Sequence, residues 1–132
     1  MFLVSLNDDE KKLFLNLANV LMTADKKITK EEENVYARYK IECGFPEFVP
    51  ELTKTYDQLI DGHGVMSTLS KKVIVVELWG VALADEISDE EVKFIEEVGK
   101  KLQIASDDIK NLRVWMEDMI ACCKFGWKLV NL

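Results

Sequence analysis

Histidine, proline and cysteine are all scarce in this sequence, and their scarcity excludes several classes of protein. There is one histidine, His63, and no Cys-x-x-Cys pair, so the usual zinc-site patterns are missing. The cysteines are Cys43, Cys122 and Cys123. An odd number of cysteines argues against a disulfide framework, and a reducing cytoplasm is the simplest location. We expect adjacent Cys122 and Cys123 to be small buried hydrophobes, with chelation of a soft ion as the alternative.

The sequence also lacks an excess of basic residues and any long apolar run. The formal net charge is −7, so nucleic-acid binding is not expected, because phosphate contacts need a basic face. The longest apolar run, residues 73–84, is shorter than the roughly 20 residues that cross a bilayer as a helix. The N-terminal residues have no basic region of the kind that signal peptides carry. We therefore expect a cytoplasmic protein without membrane insertion, whose acidity favours cations or basic partners.

The apolar run at residues 73–84 organises the predicted fold. Glu77 is its only charged residue, so the segment must be buried in a folded domain. Its length and its apolar residues beyond the usual strand length favour a helix, although a buried strand is an alternative. A chain of 132 residues forms a core without disulfides, so we predict a single domain over residues 1–132 with this helix at its centre.

Helix-start signals divide the rest of the chain. Capping boxes are predicted at Asn7–Glu10, Thr29–Glu32 and Ser88–Glu91, and a further start at Ser106. Ser67 or Ser70 is expected to open the central helix. The resulting prediction is an all-α bundle of about six to seven helices.

Two less regular segments complete the prediction. A short third helix is expected from about Pro46 or Pro50 to Ile60, followed by a loop at residues 61–64. The apolar segment after Cys123 is expected to dock on the core or on a second subunit, and its Trp127 suits either position.

An internal repeat relates the two halves of the chain. Residues 17–32 align with residues 77–91, and each copy carries an Ala-Asp bend followed by a helix start with Glu. The repeat predicts two pseudo-symmetric hairpins, each built as helix, acidic bend and helix.

The two bends resemble the TerB-like family, an all-helical domain associated with tellurite resistance and stress. The family motif is Ala-Asp-Gly-x-Ile-x-x-x-Glu. Ala24–Glu32 matches it with Lys26 in place of Gly, and Ala84–Glu91 matches it without the Gly position. The resemblance spans about residues 13–120. It implies a non-enzymatic stress module that binds a protein partner and a divalent cation (Ca²⁺, Mg²⁺ or Zn²⁺) through a set of four acidic residues: Asp25, Glu32, Asp85 and Glu91.

Other interpretations of the same residues stay open. Glu32 and Glu91 are also explained as capping residues on solvated helix starts, and the spacing does not fit an EF-hand. Glu77 in its apolar run would have a raised pKa if it were buried without a partner. An alternative function is therefore a small metal-dependent hydrolase that uses Glu77 or the acidic cluster. Without a catalytic role, we expect Glu77 to point to a groove or to pair with a lysine such as Lys40, Lys71 or Lys72. A third function class is a structural oligomerisation domain, a homodimer, formed through the C-terminal segment.

Overall fold

The computed structural model describes residues 1–24 and 27–132, and the regular structure in these ranges is entirely helical. A short 3₁₀ turn at Leu3–Ser5 precedes the α-helices, which are α1 (Asp8–Met22), α2 (Lys30–Glu42), α3 (Tyr56–His63), α4 (Thr68–Ala82), α5 (Asp89–Lys101) and α6 (Ser106–Val130). The predicted all-α bundle is confirmed, and no strand occurs in the described ranges.

The helix α4 is the centre of the bundle, as its composition predicts. All its residues from Val73 to Ala82 are buried, and α1, α2, α5, α6 and the 3₁₀ turn all pack against it. A helix that is apolar on every side is stable in water only when neighbours surround it. The indole of Trp79 is also buried, and its N–H donates to the carbonyl of Ile109 over 3.1 Å. This bond satisfies the polar atom of the largest core side chain.

The predicted capping boxes all form. At Asn7–Glu10, Thr29–Glu32 and Ser88–Glu91, the cap side chain accepts from the backbone N–H of the glutamate, and the carboxylate accepts from the backbone N–H of the cap residue. Each cap stabilises its helix by about 1 kcal/mol. The cap of α4 is Ser67, the first of the two serines considered.

The third helix was placed too early by the sequence prediction. It begins at Tyr56 rather than near Pro46 or Pro50, because Thr55 and Gln58 form a capping box there. It continues through His63, so the predicted loop at residues 61–64 is largely helical. Gly64, at φ 93°, lies directly after the last helical residue.

The C-terminal segment differs from the first of its two predicted placements. It does not dock on the core, since α6 is one continuous helix of 25 residues in which Ile109 and Met116 are the buried positions. Trp127 is 66% exposed. Cys122 and Cys123 are exposed as well, so their expected burial is wrong. The helix continues past the residues that cover it because Cys123 to Val130 contain no helix-breaking proline.

The described helices include none that is both long enough and apolar enough to cross a membrane.

A single glycine lets α4 approach its neighbours closely. A methyl group added at Gly80 would overlap the Tyr39 hydroxyl and press on Met116. We expect Gly80→Ala to lower the free energy of unfolding by about 1–3 kcal/mol, because overpacking displaces buried side chains. Urea denaturation measures this change, with Gly62→Ala as control because a methyl group there meets open space. Equal stability of the two variants would contradict the prediction, and Tyr39→Phe in the Gly80→Ala background should restore part of the loss.

Candidate functional site

The segments that contain the two predicted acidic bends meet in one small cavity. Its volume is about 310 Å³, and the described residues that line it come from both segments: Lys27, Thr29, Glu32, Asp85, Glu86, Ile87, Ser88 and Glu91. The starts of α2 and α5 are therefore neighbours in space although they are distant in sequence. Two capping boxes face each other across this cavity.

The capping glutamates Glu32 and Glu91 are the innermost acidic groups of the cavity. Their exposed fractions are 4% and 2%, which is unusual for carboxylates. One oxygen of Glu91 accepts from the backbone N–H of Ser88 over 3.0 Å, and Glu32 makes the equivalent bond to Thr29 over 3.1 Å. Capping therefore occupies one oxygen of each carboxylate.

The second oxygen of Glu91, Oε2, is buried and has no hydrogen-bond partner among the described residues. The pKa of Glu91 is raised to about 7, and burial is the main cause. The nearby carboxyl of Glu32 raises this pKa further, whereas the hydrogen bond from the backbone N–H of Ser88 lowers it. Two buried carboxylates side by side repel each other when both are ionised. A shared proton or a bound cation would remove this repulsion.

The structure brings together part of the predicted four-residue set. Glu32 and Glu91 are adjacent, and Asp85, which is half-buried, lines the same cavity. Asp25 lies outside the described residues. Within residues 1–24 and 27–132, no group of three acidic, His or Cys side chains is arranged to hold a metal ion. The complete four-residue site therefore stays a prediction.

The acidic side chains of the cavity offer oxygen atoms as potential ligands. Its inner groups are carboxylates, which suit Ca²⁺ and Mg²⁺ better than the sulfur and nitrogen sets that zinc favours. The orphaned oxygen of Glu91 is an acceptor that such an ion would satisfy. Lys27 also lines the cavity and brings a positive charge to its edge.

Glu77 belongs to a different part of the molecule. Its carboxylate is 1% exposed and accepts from the α-ammonium of Met1 over 3.1 Å; the same ammonium donates to Glu42 over 2.6 Å. Burial raises the pKa of Glu77, and the ammonium opposes that shift. Glu77 lines a groove, which is one of its two expected surroundings. The expected lysine partner is wrong, since Met1 takes that place and Lys72 pairs with Asp108. The apolar N-terminal segment was the available signal that this end of the chain docks.

An apolar groove of about 650 Å³ lies beside this ion pair. Its walls are α2 and α6 and its floor is α4, and Glu42 and Glu77 also line it. The groove is separate from the cavity between the bends.

His63 and the cysteine pair lie apart from the cavity between the bends. His63 is the last residue of α3 and lines a third cavity, together with residues of α1. Cys122 and Cys123 lie on the exposed half of α6. Neither set joins the acidic cavity.

Comparison of the chain with protein-family models, with curated proteins and with solved structures found no match.

Proposed function

We propose that this chain is a TerB-like, non-enzymatic helical module of a stress response, which binds a divalent cation between its acidic bends and, next to it, a protein partner. The observation that carries the proposal is the buried Glu91 Oε2, which faces Glu32 and has no hydrogen-bond donor among the described residues. A cation bound there would neutralise both carboxylates and connect the start of α2 to the start of α5.

Capping alone does not account for this arrangement. A capping box needs one carboxylate oxygen, and the box at Asn7–Glu10 shows this simpler case at the start of α1. Glu32 and Glu91 instead face each other, so ionisation of both is opposed by repulsion as well as by burial. An oxygen-liganded cation removes both costs. In the proposed site Glu32 and Glu91 would hold the ion, and Asp85 lines the same cavity. Asp25 completes the proposed set by its position in the sequence motif.

The exposed residues around the cavity favour a basic protein partner. Five acidic side chains on the two helix starts and the second bend are exposed, namely Glu31, Glu33, Glu86, Asp89 and Glu90. They outnumber the exposed lysines described in the same segments, which are Lys27, Lys30 and Lys93. A dense negative surface attracts a complementary positive one and speeds its association. The hydrolase alternative uses either the acidic cluster or Glu77. The Glu77 carboxylate is paired with the Met1 ammonium, so the cavity lined by Glu32 and Glu91 is the better supported site of the two.

Calorimetric titration of the chelator-treated protein with Ca²⁺, Mg²⁺, Mn²⁺ and Zn²⁺ tests the cation site. We expect saturable binding of a hard cation, and a gain of about 2.7 kcal/mol in the free energy of unfolding at a concentration of 100 Kd. Glu91→Gln should abolish both effects. Glu10→Gln changes the corresponding residue of the capping box in α1 and should leave both intact. Absence of heat and of stabilisation for all four ions would show that the pair holds a proton instead.

A further inference from the structure

Sulfur atoms are concentrated in the apolar groove between α2 and α6. Three of the five methionines, Met1, Met116 and Met119, line this groove together with Cys123. Three thioethers and one thiol therefore border a single volume of about 650 Å³.

Three of these four residues belong to one face of α6. Met116, Met119 and Cys123 follow one another at spacings of three and four positions, so their side chains are neighbours along the helix. Exposure increases along this row, since Met116 is buried, Met119 is half-buried and Cys123 is exposed. The row therefore gives a small ion a route from solvent to the buried sulfur atom.

Met119 and Cys123 are already in direct contact. The Cys123 thiol donates a weak hydrogen bond to the Met119 thioether, and the two sulfur atoms are 3.5 Å apart. The proton of this bond lies between two soft donor atoms. A metal cation that replaces the proton finds both ligands adjacent, and the thiol releases its proton to solvent.

Burial does not explain the position of this cysteine. A free cysteine is usually a small buried hydrophobe, as Cys43 is in this protein. Cys123 is exposed, yet its sulfur contacts a methionine of the same helix. Cys122 is also exposed, but its side chain is rotated by about 100° around the helix axis from that of Cys123. The two adjacent cysteines therefore have different surroundings.

The donor atoms select a soft metal ion. Thiolate and thioether ligands favour Cu⁺, whereas zinc sites use thiolate, imidazole and carboxylate ligands. Hard cations such as Ca²⁺ require oxygen ligands. The carboxylates that line this groove, Glu42 and Glu77, are paired with the Met1 ammonium.

The charges around the groove select a monovalent ion. One thiolate and one Cu⁺ ion form a neutral unit, which costs less to place among apolar side chains than a unit with net charge. Arg38 and Lys124 also line the groove and would repel a unit that stayed positive, as a divalent cation with one thiolate does.

We propose that the groove between α2 and α6 binds one Cu⁺ ion, with the Cys123 thiolate and the Met119 and Met116 thioethers as ligands. At a metal–sulfur distance of about 2.3 Å, three ligands in one plane have their sulfur atoms about 4.0 Å apart. The contact of 3.5 Å between Met119 and Cys123 therefore needs to open by only about 0.5 Å. Met116, whose sulfur lies next to Gly80 on the groove floor, reaches the ion by rotation of its flexible side chain.

Anaerobic titration of the reduced protein with Cu⁺, in competition with the chromogenic chelator bicinchoninate, tests the site. We expect one ion per chain, an affinity at least about 100-fold lower in Cys123→Ser, and one at least about tenfold lower in Met119→Leu. Leucine conserves the volume of methionine, so the melting temperature of the metal-free Met119→Leu protein should be close to that of the wild type.

Cys122→Ser is the matched control, because it removes an exposed thiol from the neighbouring position and should leave the affinity unchanged. Glu91→Gln should also leave it unchanged, which separates this site from the acidic cavity. Equal loss of affinity in Cys122→Ser and Cys123→Ser would overturn the proposal in favour of chelation by the cysteine pair. Binding that none of these substitutions weakens would overturn it as adventitious.

X-ray absorption identifies the thioether ligands directly. In protein produced with selenomethionine, the copper complex is expected to show selenium atoms bonded to copper. Replacing both Met116 and Met119 with leucine should remove this copper–selenium signal, whereas Met66→Leu, a change at a buried methionine outside the proposed ligand set, should preserve it. Copper bonded to sulfur without selenium in the unsubstituted chain would overturn the proposal.

Discussion

Acetylation of the Met1 α-ammonium is expected to lower the free energy of unfolding by up to about 3 kcal/mol at pH 7. The change removes the cation that Glu77 contacts over 3.1 Å and leaves a carboxylate that is 1% exposed. A buried charge that loses its partner is strongly destabilising. The carboxyl limits this loss by binding a proton, which at pH 7 costs about 3 kcal/mol for a group of ordinary pKa 4.5.

The control for this prediction is Glu77→Leu, which places at position 77 the residue type found at the aligned position 17 of the first repeat. Acetylation of this variant should change its stability by less than about 1 kcal/mol, since only the half-exposed contact with Glu42 is lost. If acetylation lowers the free energy of unfolding equally in Glu77→Leu and in the wild type, the loss does not come from the contact with Glu77. Chemical denaturation of the four proteins measures the difference.

The pH dependence of the same pair has a defined sign. Burial lowers the pKa of the Met1 α-ammonium, but its bonds with Glu42 and Glu77 outweigh burial and raise it above 8.0. The pair therefore contributes fully to stability below pH 8 and loses this contribution as the pH rises through the raised pKa. The acetylated protein should lack this alkaline loss.

Glu91→Gln is expected to stabilise the metal-free protein by up to about 3 kcal/mol at pH 8 and to have little effect at pH 4. The pKa of Glu91 is raised from 4.5 to about 7, so the wild type is most stable while Glu91 is protonated. Its stability falls as the pH rises from 4.5 through about 7. Glutamine keeps the oxygen that caps Ser88 and presents N–H donors to Glu32, so the variant should show a flatter profile.

Glu10→Gln is the matched control, because Glu10 is also a buried capping glutamate. The difference in the free energy of unfolding between Glu10→Gln and the wild type should vary by less than about 1 kcal/mol between pH 4 and pH 8. A parallel pH profile for wild type and Glu91→Gln in chelator would contradict the assignment to Glu91. Added cation should reduce the advantage of Glu91→Gln at pH 8, because the wild type alone would then gain the binding free energy.

Helix starts were the most predictable features of this protein. Asn7, Thr29 and Ser88 each form their capping bonds with a residue three positions later, so the signal and its structural consequence lie in one short segment. Pro46 and Pro50 predict an earlier start for α3, but Thr55 and Gln58 provide the same capping signal and set the start at Tyr56.

The candidate site was predictable only in part. The motif singled out Glu32 and Glu91, but each residue alone is explained by its cap. Their significance comes from the packing of α1, α2 and α5 around α4, which brings the two caps together. The prediction for Cys122 and Cys123 was wrong because residue type indicates burial only where a neighbouring element is present to provide it.

The sequence by itself determined the all-helical class, the central position of α4 and the capped helix starts, since these depend on local hydrogen bonds and on the total apolarity of one segment. Only the tertiary structure decided that Glu77 pairs with the ammonium of Met1, and that Glu91 shares a cavity with Glu32. It also decided that α6 extends beyond the bundle. These features depend on contacts between residues that are distant in the sequence. The free energy of each contact is set by the burial of the side chains and by the charges next to them.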